Sequence, residues 1–274
     1  MKSTNWLFGR KTGAAREKNA FISYCRKFFA KEIEWQLQFV RTENKFSGFM
    51  NATQFQSIIF DCDSTLTALE GVDYLAELHD VHDAVADLTS KAMNTFSITP
   101  EMYEKRLELI QPRRDDLATL AQAYKNALVP GVEKTIATLR NLGKTLYIIS
   151  GGIRKAILPV GDYLGIPAER IHAVDVYFNL DGDYIGFDRD SVLVSPNGKS
   201  QIIRNIGPDK PMAFIGDGTN DLAAQDMVDQ FIGFGGAEYR PPIEDAAPLY
   251  VKDPDFQALL PHILTADELE SVTH

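Results

Sequence analysis

The strongest constraint on this chain is a recurring unit: a short, largely apolar run that ends on a glycine or turn-forming residue and gives way to helical spacing. Ser57–Phe60, Thr145–Ile149, Pro211–Ile215 and Phe231–Phe234 are four such runs. Strands buried on both faces read as continuous apolar segments rather than alternating ones, and strands that alternate with helices are joined by crossovers. The pattern predicts an α/β protein: a doubly wound parallel sheet covered by helices on both faces. Sheets of this kind bind ligands at the carboxyl ends of their strands, so the residues that follow each run are where chemistry is to be sought.

The interval between the first two runs is too long for a single crossover helix. Gly71–His79, Val81–Asn94, Pro100–Ile110 and Asp115–Leu128 all have helical spacing with polar faces, punctuated by Thr99-Pro100 and Gln111-Pro112. They predict a small helical cap over residues 69–128, inserted into an α/β core of residues 51–68 and 129–274. The Asp181-Gly182 pair, flanked by Val174, Val176, Tyr177 and Phe187, reads as a β-hairpin rather than a calcium loop, because the bidentate acid of an EF-hand is missing.

Charge separates a further piece. Residues 1–50 carry +6 and the remainder −16, out of a net −10. Phe21 to Val40 has amphipathic spacing, and residues 1–50 are read as an appendage that the chemistry does not need; a basic targeting segment or upstream sequence are the other readings. The acidic body argues against nucleic acid as a partner, since binding a phosphate backbone needs clustered positive charge. No stretch approaches the ~18 apolar residues of a membrane span. Cys25 and Cys62 form no C-x-x-C pair or disulfide framework, which suits a reducing cytosol and predicts a cytoplasmic protein.

Four signals follow the apolar runs. Asp61-Cys62-Asp63-Ser64-Thr65 places two carboxylates at the end of a buried strand, where they repel each other unless a cation binds them. Gly216-Asp217-Gly218-Thr219-Asn220-Asp221 brings two more acids to the same edge, and an all-oxygen donor set of this kind suits magnesium. Ser150-Gly151-Gly152 offers a hydroxyl and bare backbone N–H groups, read as opening a helix where a phosphate can sit. Lys199 precedes another helix. His79 and His82 have zinc-like spacing but lack a third ligand cluster, and are expected on the cap surface.

The order D-x-D-S-T, S-G-G, lysine, G-D-G-x-N-D resembles the four-motif signature of the haloacid dehalogenase superfamily of phosphohydrolases, over about Ser57 to Ile263. Within it the chain is most similar to the phosphoserine phosphatases, in Asp61 to Glu70 with Gly71-Val72-Asp73, in Lys91-Ala92-Met93, and in Lys105-Arg106 through Pro112. The resemblance implies a Rossmann-like core with a cap. It also implies Asp61 as nucleophile and Asp63 as general acid and base. Magnesium would be held by Asp61, the Asp63 carbonyl and Asp217, with Asp221 in support; Ser150, Gly151, Lys199 and Asn220 would hold the phosphoryl oxygens. Glu70 is implied on the substrate ammonium, Arg106 on its carboxylate and Met93 as cap lining, which makes O-phosphoserine the expected substrate. The chain departs from the family at Thr99, where an aromatic residue is common, at Ala173-Val174-Asp175, and around the proline pair of Gly235–Pro242. Another small phosphomonoester (a phosphorylated amine, amino alcohol or sugar), a phosphomutase and a phosphoacceptor signalling module are the competing readings.

Overall fold

The computed structural model describes residues 55–93 and 99–272, the side chains of 89–93 excepted. The segment Phe21–Val40 and the rest of residues 1–50 lie outside the described residues. Strand β1 (Ser57–Phe60) is buried at every position, as its unbroken apolar run requires. It sits in the middle of the sheet, in parallel register with β2 (Thr145–Ile153) on one side and, on the other, β6 (Met212–Gly216). β3 (Ile171–Val174) forms one edge; β7 (Gln230–Phe234) and β8 (Tyr250–Val251) complete the other. The order is β3-β2-β1-β6-β7-β8, parallel throughout. The winding reverses between β1 and β6, and this is the switch point at which doubly wound sheets open a crevice.

The two edge strands were not evident in the sequence. β3 holds the half-exposed His172 and Ala173 between its buried ends, and β8 is two residues long, so neither makes a continuous apolar run. The hairpin forms from β4 (Val176–Phe178) and β5 (Tyr184–Phe187), antiparallel to each other. Val174, expected in that hairpin, closes β3 instead.

The insertion folds as α1 (Gly71–Leu78), α2 (His82–Met93), α3 (Pro100–Ile110) and α4 (Asp116–Asn126). α4 buries Leu117, Leu120, Ala121 and Tyr124, and this i, i+3, i+4, i+7 stripe is its packing face. α3 begins on Thr99, whose hydroxyl accepts from Met102 N, followed by Pro100 at the first helical position; it stops at Gln111, in the left-handed region at φ 48°. A cap of this kind is worth about 1 kcal/mol, which gives Thr99 a structural reason to be there. The two connectors that join cap to core lie side by side: Thr67 and Leu128 form an antiparallel bridge, and Ala68 N donates to Ala127 O at 2.8 Å.

After the cap come α5 (Val132–Asn141), α6 (Arg154–Leu164) and α7 (Gly198–Ile206), then α8 (Thr219–Leu222) and α9 (Pro241–Ala246). Beneath the sheet an aromatic group closes the core: Phe256 packs on Phe60 and Phe234 with ring centres 5.9 and 5.0 Å apart. Full burial of one such ring contributes roughly 1.5–3 kcal/mol. Among the described residues no helix is long and apolar enough to cross a membrane.

Candidate active site

Asp61 continues β1, its N–H donating to Ile215 O at 3.0 Å, and Asp217 follows β6, so the two acids meet at the switch point. Asp221 reaches the same place from α8. Carboxylate oxygens of Asp61, Asp217 and Asp221 all lie within 4.8 Å of one another. All three are packed away from water, so their mutual repulsion acts in a medium that screens it poorly.

Part of that charge is answered by protein cations. Lys199, the second residue of α7, is buried with Nζ 2.9 Å from Asp61 Oδ1 and 2.5 Å from Asp221 Oδ1. Burial alone would lower its affinity for a proton; the charges of Asp221 and Asp61 outweigh that and raise it. Thr65 Oγ1 donates to Asp217 Oδ1 at 2.9 Å, and Arg240 Nε donates to Asp217 Oδ2 at 2.8 Å. Compensation is incomplete. Burial, then the charge on Asp61, push Asp63 and Asp217 up to about 6 and Asp221 up to about 7. A set of converging, oxygen-only donors with surplus negative charge fits a hard divalent cation.

Asp63 turns toward the cap. Its Oδ1 accepts from Gly71 N at 2.7 Å and from the Tyr124 hydroxyl at 2.6 Å, and its Oδ2 lies 3.3 Å from Ser150 Oγ. Ser150, Gly151 and Gly152 do not open a helix as expected. β2 runs on to Ile153 with a shift of register after Ile149, and α6 starts at Arg154. The shift leaves the Gly152 N–H turned to Ser150 Oγ, 3.0 Å away. A Cβ on Gly152 would stand 2.5 Å from Asp63 Oδ2, so a residue without a side chain is required where this loop passes the acid. Asn220 lies half-exposed in α8, one residue before Asp221.

Of the residues expected on the substrate side, Glu70 precedes α1 and accepts from Ser64 Oγ at 2.7 Å. Burial, then the charge on Asp63, raise its pKa. Arg106 on α3 donates from Nη2 to Asp73 Oδ1 at 2.8 Å, while its buried Nε has no hydrogen-bond partner among the described residues. Met93 ends α2; its side chain lies outside the described residues. His79 Nε2 contacts Asp116 Oδ2 at 2.7 Å and His82 is exposed, so this pair serves the cap.

Sequence reasoning missed Tyr124, Thr65, Glu238 and Arg240. Arg240 bridges Asp217 and Glu238, with Glu70 at 3.5 Å. The only sequence signal for it was the unusual proline pair that follows it in the chain. Tyr124 looked like any apolar position of a cap helix.

A family model described as haloacid dehalogenase-like hydrolase matches residues 55–224, from the start of β1 to the acids after β6. The chain belongs to this family. The hydrolase is 34% identical to phosphoserine phosphatase of Homo sapiens over 72% of its own length and 89% of the human protein. It is 35% identical to the chloroplastic phosphoserine phosphatase of Arabidopsis thaliana, over 68% of its own length and 64% of the plant protein. Among solved structures, a phosphoserine phosphohydrolase-like protein from Francisella tularensis superposes with a TM-score of 0.65 at 25% identity, covering 80% of this chain and all of that one.

Proposed function

We propose that this hydrolase is a magnesium-dependent phosphoserine phosphatase acting in serine biosynthesis, releasing serine and phosphate through an aspartyl-phosphate on Asp61. The observation that carries the reading is the meeting of Asp61, Asp217 and Asp221 with Lys199 at the switch point, under a cap that holds Glu70 and Arg106. The phosphoserine phosphatases to which the chain is similar support the choice of substrate.

Magnesium would be held by Asp61, the Asp63 carbonyl and Asp217, with Asp221 behind them. It supplies positive charge against the phosphoryl oxygens, which this acid-lined pocket otherwise repels. Lys199 holds Asp61 in place at 2.9 Å and adds its own charge to that field. Ser150, the Gly151 N–H and Asn220 complete the phosphoryl cradle. Asp61 attacks phosphorus as the serine oxygen leaves; Asp63 gives that oxygen a proton, then takes one from the water that hydrolyses the acyl-phosphate. In the metal-free protein burial and then the charge on Asp61 raise the Asp63 carboxyl to about 6, the direction that a group with both duties near neutral pH needs.

In the cap, Arg106 already spends one arm on Asp73 and keeps a buried Nε–H to offer a carboxylate. Glu70 faces the ammonium. The acidic body favours small phosphorylated metabolites over nucleic acid as partners, and the cytoplasm is the expected compartment.

The test is phosphate release from phosphoserine, phosphoethanolamine and p-nitrophenyl phosphate, with magnesium and with chelator. Turnover of phosphoserine should require the metal, and Arg106→Ala should lose at least ~100-fold in kcat/KM on phosphoserine but little on the other two. Equal loss on all three would remove carboxylate recognition from the reading.

A further inference from the structure

Asp63 is held unevenly on its two oxygens. The Tyr124 hydroxyl donates to Oδ1 at 2.6 Å and the Gly71 N–H donates to the same atom at 2.7 Å, whereas Oδ2 accepts one longer hydrogen bond, from Ser150 Oγ at 3.3 Å. The two donors come from opposite ends of the cap: Gly71 is the first residue of α1, and Tyr124 lies in the last turn of α4. Tyr124 is fully buried. A buried phenol usually finds a hydrogen-bond partner; this one is turned to the carboxylate that the proposed reaction uses for proton transfer.

We propose that Tyr124 is a positioning residue: together with the Gly71 N–H it saturates Oδ1 of Asp63 and so confines the transferable proton to Oδ2, on the side of the phosphoryl site. The inference rests on the reading of Asp63 as acid and base. Each carboxylate oxygen offers two lone-pair sites. With both sites of Oδ1 filled by N–H and O–H donors, a proton placed there would displace one of them, whereas Oδ2, with the Ser150 hydroxyl on one site, keeps the other for the proton. In the first half-reaction the Oδ2–H bond breaks as the ester oxygen takes the proton, the P–O bond to serine breaks and the bond from Asp61 to phosphorus forms. In the second, water gives its proton to Oδ2 while its oxygen bonds to phosphorus and the acyl-phosphate opens. Oδ1 keeps both donors throughout. Burial, then the charge on Asp63, hold the Tyr124 phenol far above its usual pKa, so it remains a donor.

Gly71 belongs to the same device. A Cβ there would lie 1.9 Å from the Tyr124 hydroxyl and 3.3 Å from Asp63 Oδ1. Any side chain at position 71 pushes the phenol off the carboxylate, which gives a second way to break the contact without touching Tyr124.

The experiment compares Tyr124→Phe, Gly71→Ala and Asp63→Asn on two substrates: phosphoserine, whose alkoxide must be protonated as it leaves, and p-nitrophenyl phosphate, whose phenolate need not be. For Tyr124→Phe, kcat on phosphoserine should fall about 10- to 100-fold with KM within about twofold. The burst of p-nitrophenol, which reports transfer to Asp61 alone, should keep its rate within about threefold. Gly71→Ala should follow the same pattern, and its melting curve together with that of Tyr124→Phe shows whether each variant is folded. A burst slowed as much as phosphoserine turnover, or wild-type kinetics on both substrates, overturns the inference and leaves Tyr124 a core residue. The reading beneath it fails separately: it falls if Asp63→Asn turns over phosphoserine at the wild-type rate.

Discussion

The Nε–H of Arg240 donates to Oδ2 of Asp217 at 2.8 Å, so a cation of the protein already stands against one of the acids proposed to hold the metal. Neighbouring like charges oppose each other, and at this depth an interaction of ~1 kcal/mol is expected between Arg240 and a bound divalent ion. Arg240→Gln should therefore lower the magnesium concentration for half-maximal phosphate release about fivefold. A magnesium titration checks this; a rise instead would mean that Arg240 serves chiefly to aim Asp217.

Lys199 is the cation between Asp61 and Asp221, at 2.9 and 2.5 Å. Replacing it by methionine leaves both acids buried without their partner, a change that costs roughly 3–5 kcal/mol. Lys199→Met should lose at least ~1000-fold in kcat and melt well below the wild type at pH 8. Calorimetry and phosphate release read the two effects independently, and a variant as stable as the wild type would contradict the ion pairs described above.

Acid should stabilise the metal-free protein. Asp63, Asp217 and Asp221 have raised pKa values in the fold, through burial and then the charge on Asp61. Between the unfolded carboxylate range near ~4 and these raised values, the folded chain holds protons that the unfolded chain has released. Stability from this source is therefore greatest at low pH and is lost as pH rises through about 6 to about 7. A cation offsets the same repulsion, so the rise in melting temperature on adding magnesium should be larger at pH 8 than at pH 5.5, by roughly 5 °C. Thermal melts with magnesium and with chelator test this, and equal increments at the two pH values would count against a shared metal site.

Away from the site, Lys144 Nζ lies 2.5 Å from Glu268 Oε1 and is buried, tying the residue before β2 to the C-terminal helix. Lys144→Met takes this cation away from the Glu268 carboxylate, whose other oxygen accepts from Thr265 N at 2.9 Å. It should cost about 2–4 kcal/mol in urea unfolding and leave KM and kcat unchanged within about twofold, because nothing in the contact reaches the switch point. A loss of turnover at full stability would show a coupling that the contacts do not suggest.

The centre of the sheet was legible in the sequence because β1, β6 and β7 are buried on both faces, and burial of that kind leaves an apolar run that few other structures produce. The acids after β1 and β6 were legible for the opposite reason: carboxylates at the end of such a run demand a cation. β3 and β8 were not, since edge strands are half-exposed and short. Ser150-Gly151-Gly152 misled in detail because a strand that shifts register and a loop that opens a helix use the same small residues. Glu70 and Arg106 came from resemblance rather than pattern, as charged residues on helices are ordinarily solvated. The roles of Arg240 and Tyr124 could not be read: the first is a charge in a loop marked only by the prolines after it, the second an aromatic residue on an apolar stripe, and only packing across the chain turns them toward Asp217 and Asp63.

The bridge between Thr67 and Leu128 has a consequence for how such proteins diversify. Because the chain departs from the sheet and returns through adjacent, hydrogen-bonded residues, a turn of about two residues would span the gap. The roof is thus joined to the floor at a single seam: an exchange of inserts at these two points can retune which alcohol is accepted, so long as the new insert again brings two donors to Asp63 Oδ1 as the Gly71 N–H and the Tyr124 hydroxyl do.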